Sequence, residues 1–417
     1  MNLKKIGVSE ITFFLVCISP FLAYLKSDLI SSYIPMALES GYIAFQIYKH
    51  KGKIKPILLL FMLWLVIITL LNYSGNITSV NRMIGELISL LTVLTISQDT
   101  KGYKFVTIYR MIAMVCLIYF IAQVLLMYTF SYPLQFTIPF LPVKEELEFP
   151  FRIMSYYNRS SLYIRFPGPF SEPSHYAAYL MPLLIMALFD NKKQLKDKWR
   201  LPVCISATMV MSTSGLGILL CAVTWGLYFI LDYSTTKNRL ALFPAMLLAI
   251  LVLFTLLMMY SEQFYITVSN LFFVTDTNRF SDGSKADYRI YRGFSMYFQL
   301  PFLNKLFGVG YANMNDFALT HGINTIYDIQ TSGSVEYYNG ISQILLYSGC
   351  FGFILWTRGM IGYIKGMSKV GKILFIIYVF YIIGSGTLFG TFSSIFLACA
   401  TLLGKEKCAS NKIAIKV

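Results

Sequence analysis

Two stretches of the 417-residue chain hold residue types that could carry out chemistry on a bound substrate. The first contains Arg159, Arg165, Glu172 and His175; the second contains Arg289, Arg292 and, further on, Tyr338 and Asn339. A glutamate or histidine can take a proton from an attacking hydroxyl. Arginine forks bind phosphate oxygens through paired hydrogen bonds and stabilise an anionic leaving group. The arginines therefore suit an acidic, phosphate-bearing ligand.

Spacing places these residues on particular elements. In the run R-F-P-G-P-F-S-E-P-S-H-Y-A-A-Y-L from Arg165 to Leu180, Pro167, Pro169 and Pro173 favour an extended approach that ends as a helix opens at Pro173. Ser171 falls near the N-cap, with Glu172 and His175 close to the positive end of the helix. An anion there would meet backbone amides as well as Arg165. Arg289 and Arg292 are three apart, so a helix from near Ser284 to the stop at Pro301 puts them on one face. Beyond it, L-F-G-V-G-Y-A-N from Leu306 to Asn313 reads as a turn built on Gly308 and Gly310. It opens no dinucleotide-binding unit.

The elements that must hold these stretches are membrane helices. With 56% apolar and 13% charged residues and a mean hydropathy of +0.62, the composition excludes an ordinary soluble enzyme, a disordered chain and a coiled coil. Apolar segments lie near 6–25, 29–48, 56–73, 81–97, 105–130, 173–190, 201–213, 215–233, 240–260, 339–357, 373–388 and 391–404. The pairs within 201–233 and 373–404 could each be one long helix. Basic residues at both ends and the turns at Ser212-Thr213-Ser214-Gly215 and Gly384-Ser385-Gly386 favour hairpins. The opening Lys4-Lys5 and apolar run resemble a signal peptide without its cleavage site, so the first segment is expected to be retained.

The net charge of +15 follows topology rather than nucleic-acid binding. Short segments between alternate helices, with the two termini, carry 23 of the 35 basic residues, among them Lys49, Lys51, Lys53, Lys55, Lys192, Lys193, Lys365 and Lys369. Short basic loops stay in the cytoplasm, which puts both termini there. The two long connections, 131–172 and 261–338, then lie outside, and both candidate stretches fall within them or at their ends. The expected fold is an all-α integral membrane protein, one polytopic domain over 1–417 with about twelve transmembrane helices.

The first outer loop also carries Phe149, Phe151, Tyr156, Tyr157, Tyr163 and Phe166, which suit either packing on sugar rings or an interfacial belt. Arg82 and Glu86, four apart, can pair directly as a bundle-facing ion pair or help to bind a lipid pyrophosphate; Glu39 could mark a proton pathway. The outer loops hold no D-x-D or E-x-D motif and no cysteine, and three histidines cannot build a multi-His site, so no metal and no cofactor are expected.

The Arg165–Leu180 run resembles the signature of bacterial O-antigen and capsular polysaccharide polymerases of the Wzy type, in the superfamily of the O-antigen ligases. The Arg-bearing helix followed by G-x-G-x-x-N is similar to that superfamily's large outer loop, and the likeness covers about 250 residues from the first loop to the last helices. The resemblance implies a glycosyltransferase C-like fold in the bacterial cytoplasmic membrane. It also implies polyprenyl-pyrophosphate-linked oligosaccharide repeats as donor and acceptor, with a chain-length regulator and a flippase as possible partners. The catalytic candidates are Glu172, His175 and Arg289, and the substrate-binding candidates Arg165, Arg292, Arg159, Tyr338 and Asn339. Ligases typically show His-Asn where this chain has Tyr338-Asn339, which favours polymerase over ligase. The rival class, a twelve-helix flippase or transporter, usually shows two equivalent halves and a midplane site, whereas this chain is asymmetric.

Overall fold

The computed structural model describes residues 7–22, 25–27, 29–50, 55–73, 75, 77–99, 101–132, 134, 166–189, 199–212, 214–233, 292–323, 339–385, 388 and 390–403. Arg159, Arg165, Arg289, Tyr338, the segment 240–260 and most of both long connections lie outside them.

The described residues are helical, without a strand. In chain order they form α1 (Val8–Leu22), α2 (Ile34–His50), α3 (Pro56–Leu71), α4 (Ile77–Ile96), α5 (Tyr103–Phe130), α6 (Pro173–Leu188), α7 (Arg200–Met211) and α8 (Gly215–Tyr228). After these come three short helices, α9 (Gly293–Gln299), α10 (Phe302–Phe307) and α11 (Met314–His321), then α12 (Gly340–Ile364), α13 (Lys369–Ser385) and α14 (Thr391–Leu403). Every apolar segment named above that falls within the described residues holds a helix. Both ambiguous runs are helix pairs: the hydroxyl of Ser214 accepts from the Gly217 amide and starts α8 afresh after α7 has ended at Met211.

Among the described residues two helices, α5 and α12, are long and apolar enough to cross a membrane. At 1.5 Å per residue the 28 residues of α5 span about 42 Å. Its outward side shows why lipid suits it. Met111, Val115, Ile118 and Leu125 recur at helical spacing and stay exposed, Val115 at 65% and Ile118 at 62%, while Tyr109, Ala113, Cys116 and Phe120 are buried. On α3 the same division sets exposed Leu59, Leu60, Leu63, Ile67 and Leu70 against buried Leu58, Phe61, Met62, Leu65 and Ile68. A helix apolar on both faces with one face exposed is unfavourable in water and ordinary in hydrocarbon.

The chain divides into two compact units, residues 1–16, 32–106 and 282–417 forming the first and residues 17–31 and 107–281 the second. In the first unit α2 packs on α4, α4 on α14, α13 on both α12 and α14, and α3, α9 and α10 on α12. One end is tied by Asp99: Ser9, Tyr42 and Gln46 donate to its Oδ2 at 2.9, 3.1 and 2.8 Å, and the Lys101 amide to its Oδ1 at 2.9 Å. Glu10 beside it pairs with Lys104 and Lys101. Within the bundle Glu39 is buried and accepts from the Thr92 hydroxyl at 3.4 Å.

Helix α12 is broken at Gly349, where φ is +67° and ψ is −175°. A break strands the carbonyls of the preceding turn, and a buried carbonyl left unpaired is costly. Here three are met by donors from elsewhere. The Val309 amide donates to Leu346 O at 2.9 Å, the Gly310 amide to Tyr347 O at 3.0 Å, and the Trp64 indole to Ser348 O at 3.0 Å. The G-V-G turn and the broken helix therefore complete each other's hydrogen bonding.

In the second unit α6 packs on α7 and α8, with Gly217 giving room to Ala177. Trp199 stacks on Trp225, whose indole donates to Ser206 Oγ at 2.8 Å.

Candidate functional site

In the second unit the approach to α6 runs over an aromatic floor. Gly168 has φ +62°, a region that favours glycine, and a Cβ there would press into the Tyr176 ring. Its amide donates to Gln123 Oε1 at 3.0 Å, while Gln123 Nε2 donates to Leu134 O at 2.9 Å. One side chain of α5 thus holds both ends of the long first connection. Phe120 stacks on Tyr176 with centroids 4.4 Å apart, and Phe170 packs between Phe21 at 4.8 Å and Tyr179 at 5.1 Å. Tyr179 in turn donates to Cys17 O at 2.9 Å.

Above this floor the helix opens as its prolines dictate, with Pro173 in its first turn. The N-cap residue is Glu172, one later than the position expected for Ser171; its side chain makes no capping bond. The Ser171 hydroxyl instead lies 3.1 Å from His175 Nδ1, and Ser174 donates to Glu172 Oε2 at 3.0 Å. The His175 amide bonds to Glu172 O at 3.0 Å, so carboxylate and imidazole share the first helical turn. Both side chains are half-buried and both sit at the positive end of a helix. Chemically this is a pair of proton acceptors on a rigid element, reachable from solvent.

Phe166, one candidate for packing on sugar rings, has the structural alternative. It is buried, edge-on to Phe120 at 6.3 Å and beside Tyr128 at 5.8 Å. The remaining aromatics of that group lie outside the described residues.

Arg292 and Asn339 belong to the first unit. Arg292 is only 2% exposed at the N-cap of α9, which ends at Gln299 with Leu300 as its C-cap, just before Pro301. The face it would share with Arg289 lies outside the described residues. Asn339 is buried at the N-cap of α12, where its Oδ1 accepts from the Ser342 amide at 2.8 Å and its carbonyl from the Ser342 hydroxyl at 3.0 Å. That placement gives Asn339 a structural task at the helix start.

The G-x-G-x-x-N stretch is a turn, as its glycines suggest, with φ of +90° at Gly308 and +86° at Gly310. Asn313 closes it by donating to Val309 O at 3.2 Å and to Asn72 O at 2.9 Å on α3. Next to it, Arg82 Nε lies 3.8 Å from Glu86 Oε1 on α4, as the four-residue spacing allows. Sequence reasoning missed the packing behind this turn: Tyr311 is buried, its ring centroid 4.9 Å from that of Tyr347, and its amide donates to Thr69 Oγ1 at 2.8 Å. The only signal was an aromatic inside a glycine turn.

No protein-family model, no curated protein and no solved structure matches this chain.

Proposed function

We propose that the chain is a membrane polysaccharide polymerase, a metal-independent glycosyltransferase. It joins polyprenyl-pyrophosphate-linked oligosaccharide repeat units on the outer face of the bacterial cytoplasmic membrane. Twelve helices cross the bilayer in this reading, both termini are cytoplasmic, and the start of α6 faces outward.

The observation that carries the reading is the placement of Glu172 and His175 on one helical turn, behind the Gly168 turn that Gln123 and Tyr176 hold. The acceptor hydroxyl attacks the anomeric carbon of the donor. The new C–O bond forms as the bond from that carbon to the pyrophosphate breaks, and the acceptor proton passes to Glu172 or, as second choice, His175. Polyprenyl pyrophosphate departs with the bonding electrons. Arg165, Arg159, Arg289 and Arg292 are assigned to its charge, which cationic side chains can stabilise without a metal. Tyr338 is assigned to substrate binding, while Asn339 caps the start of α12.

Purified protein in proteoliposomes, supplied with lipid-linked repeat, tests this directly. Wild type should build a polymer ladder. Glu172→Gln keeps the shape and loses the proton affinity, and general-base catalysis is worth about two to four orders of magnitude, so its rate should fall below about 1% of normal. Ladder synthesis by Glu172→Gln near the normal rate would remove Glu172 from the chemistry.

The buried Glu39 carboxyl favours a second reading, a proton-linked flippase or transporter. Deletion separates the two. Loss of a polymerase leaves single repeat units on the cell surface, and loss of a flippase leaves none.

A further inference from the structure

α3 and α12 run antiparallel, so each gives a scale of depth for what packs on the other. Leu58, near the start of α3, stands against Gly359, near the end of α12. Trp64, midway along α3, stands against Gly352, midway along α12, and donates to Ser348 O at 3.0 Å. The short helices α9 and α10 pack at this middle level. The Tyr297 hydroxyl donates to Lys305 O at 3.0 Å, which folds α10 back on α9, and lies 2.9 Å from Cys350 Sγ. The Leu306 carbonyl stands against Gly349, and the Phe307 ring lies 5.6 Å from Trp64. Only after the glycine turn does the chain reach the end of α3, where Asn313 donates to Asn72 O, about 12 Å along the axis from Trp64.

The exposed side of this helical hairpin is apolar. Around its tip Phe298, Phe302 and Leu303 are 69%, 72% and 64% exposed. The surface continues onto α3 and α12 through Trp64, whose ring lies between Phe307 and Phe351, with exposed Leu60, Leu63 and Ile354 at helical spacing beside it. Large apolar side chains grouped this way are unfavourable in water and at home in hydrocarbon. Backbone at membrane depth must find its hydrogen bonds within the protein. It does so here: the Gly308 amide donates to Asn304 O at 2.8 Å, and the next two amides reach the carbonyls of the broken helix. Lys305, the one charged residue of α9 and α10, is half-exposed on a stem long enough to carry its ammonium toward an interface.

We propose that α9 and α10 form an intramembrane hairpin whose tip, Phe298, Phe302 and Leu303, contacts the acyl chains of bilayer lipid near mid-depth. Part of the connection 261–338, which the charge pattern assigns to the outer side, is then a membrane element. Seven and six residues of helix are about 10 Å each, too short to cross a hydrocarbon core of about 30 Å, so hydropathy does not mark them as a span. The inference goes beyond the polymerase reading and does not depend on it, since it needs only that α3 and α12 cross the membrane.

The test uses the wild-type chain in nanodiscs of phosphatidylcholine that carries a photoactivatable diazirine at the end of one acyl chain, and in parallel a water-soluble diazirine, with labelled peptides read by mass spectrometry. Two references lie in the same unit: exposed Leu60 and Leu63 on α3 for hydrocarbon, and exposed Lys49 and Lys365 for water. Phe298–Leu303 should take the lipid-borne label as strongly as the α3 reference. It should take the water-borne label about tenfold less than the lysine references, because the bilayer core holds no water. Labelling from water at the level of the lysines would place the hairpin outside the bilayer and overturn the proposal, whatever the lipid-borne label does. Labelling by neither reagent would show the tip covered by a second copy or another part of the chain, and would overturn the lipid contact as well. Absence of lipid-borne label from α3 would remove the depth scale and the proposal with it. A pair of variants gives an independent reading. A carboxylate at that depth is costly, so Phe302→Asp should lower the amount of membrane-inserted protein by about tenfold, whereas Phe302→Leu should leave it unchanged. Equal amounts of the two variants would also overturn the proposal.

Discussion

Gly308 and Gly349 hold the crossing of a turn and a broken helix by having no side chains. A Cβ on Gly308 would strike the Tyr347 carbonyl, and one on Gly349 would strike the Leu306 carbonyl. Both residues also have positive φ, so even without the contact an L side chain would be strained. The two glycines let the backbones approach closely enough for Val309 and Gly310 to satisfy the carbonyls that the break exposes.

Gly349→Ala should therefore destabilise the first unit more than a substitution at an exposed position of the same unit such as Leu63→Ala. Strain at positive φ costs about 1–2 kcal/mol, and displaced backbone hydrogen bonds add about 1 kcal/mol each. The expected outcome is a lower melting temperature in detergent and a smaller monodisperse peak on size exclusion. A melting temperature equal to wild type would mean that the break does not need its glycine.

Gln123 makes a different kind of link, local to the second unit. Gln123→Leu removes the acceptor for the Gly168 amide and the donor for Leu134 O. Leaving a buried polar group unpaired costs about 1–3 kcal/mol. Because Gly168 lies four residues before Glu172, polymer synthesis should fall more steeply than the amount of folded protein. Gln123→Glu keeps the acceptor and loses the donor, so it should fall between Gln123→Leu and wild type. The ratio of ladder intensity to membrane-inserted protein is the measurement. A constant ratio across the three proteins would detach the Gly168 turn from the chemistry.

The helices were readable because long apolar runs need few decisions: an uninterrupted stretch such as Pro56–Leu71 has no competing fold. Local stops were also readable, since Pro173 and Pro301 act through their own rings whatever lies around them. Tertiary hydrogen bonding was not readable. Nothing in Tyr347-Ser348-Gly349 says that a helix breaks there, because the break is stable only once Trp64 and Val309 arrive from distant parts of the chain. The same limit explains Phe166 and Asn339. An aromatic or amide at a loop edge has the same composition whether it meets a ligand or its own chain, and burial alone separates the two.

The proposed orientation has its own test, since the alternating basic loops set it. Cysteines introduced at Ser160 and Ser281 should react with a membrane-impermeant thiol reagent in cells whose outer barrier, if any, is permeabilised. Cysteines at Gln194 and Ser368 should react only after lysis. The reverse labelling pattern would place the start of α6 in the cytoplasm and remove the outer-face polymerase.

Glu172 and His175 remain to be told apart as the base, and the pH dependence of single variants allows it. A base works only when deprotonated, so the rate falls as pH drops through its titration. With Glu172 as base, the acid limb of polymer synthesis should stay where it is in His175→Ala. Ser171, whose hydroxyl lies 3.1 Å from His175 Nδ1, then restrains a ring that shapes the site without taking the proton. Ser171→Ala and His175→Ala should accordingly lower the rate by similar, modest factors and leave the limb unmoved. An acid limb that disappears with His175→Ala would transfer the proton to the imidazole, leaving Glu172 as a charge at the positive end of α6, worth about 0.3–1 kcal/mol there.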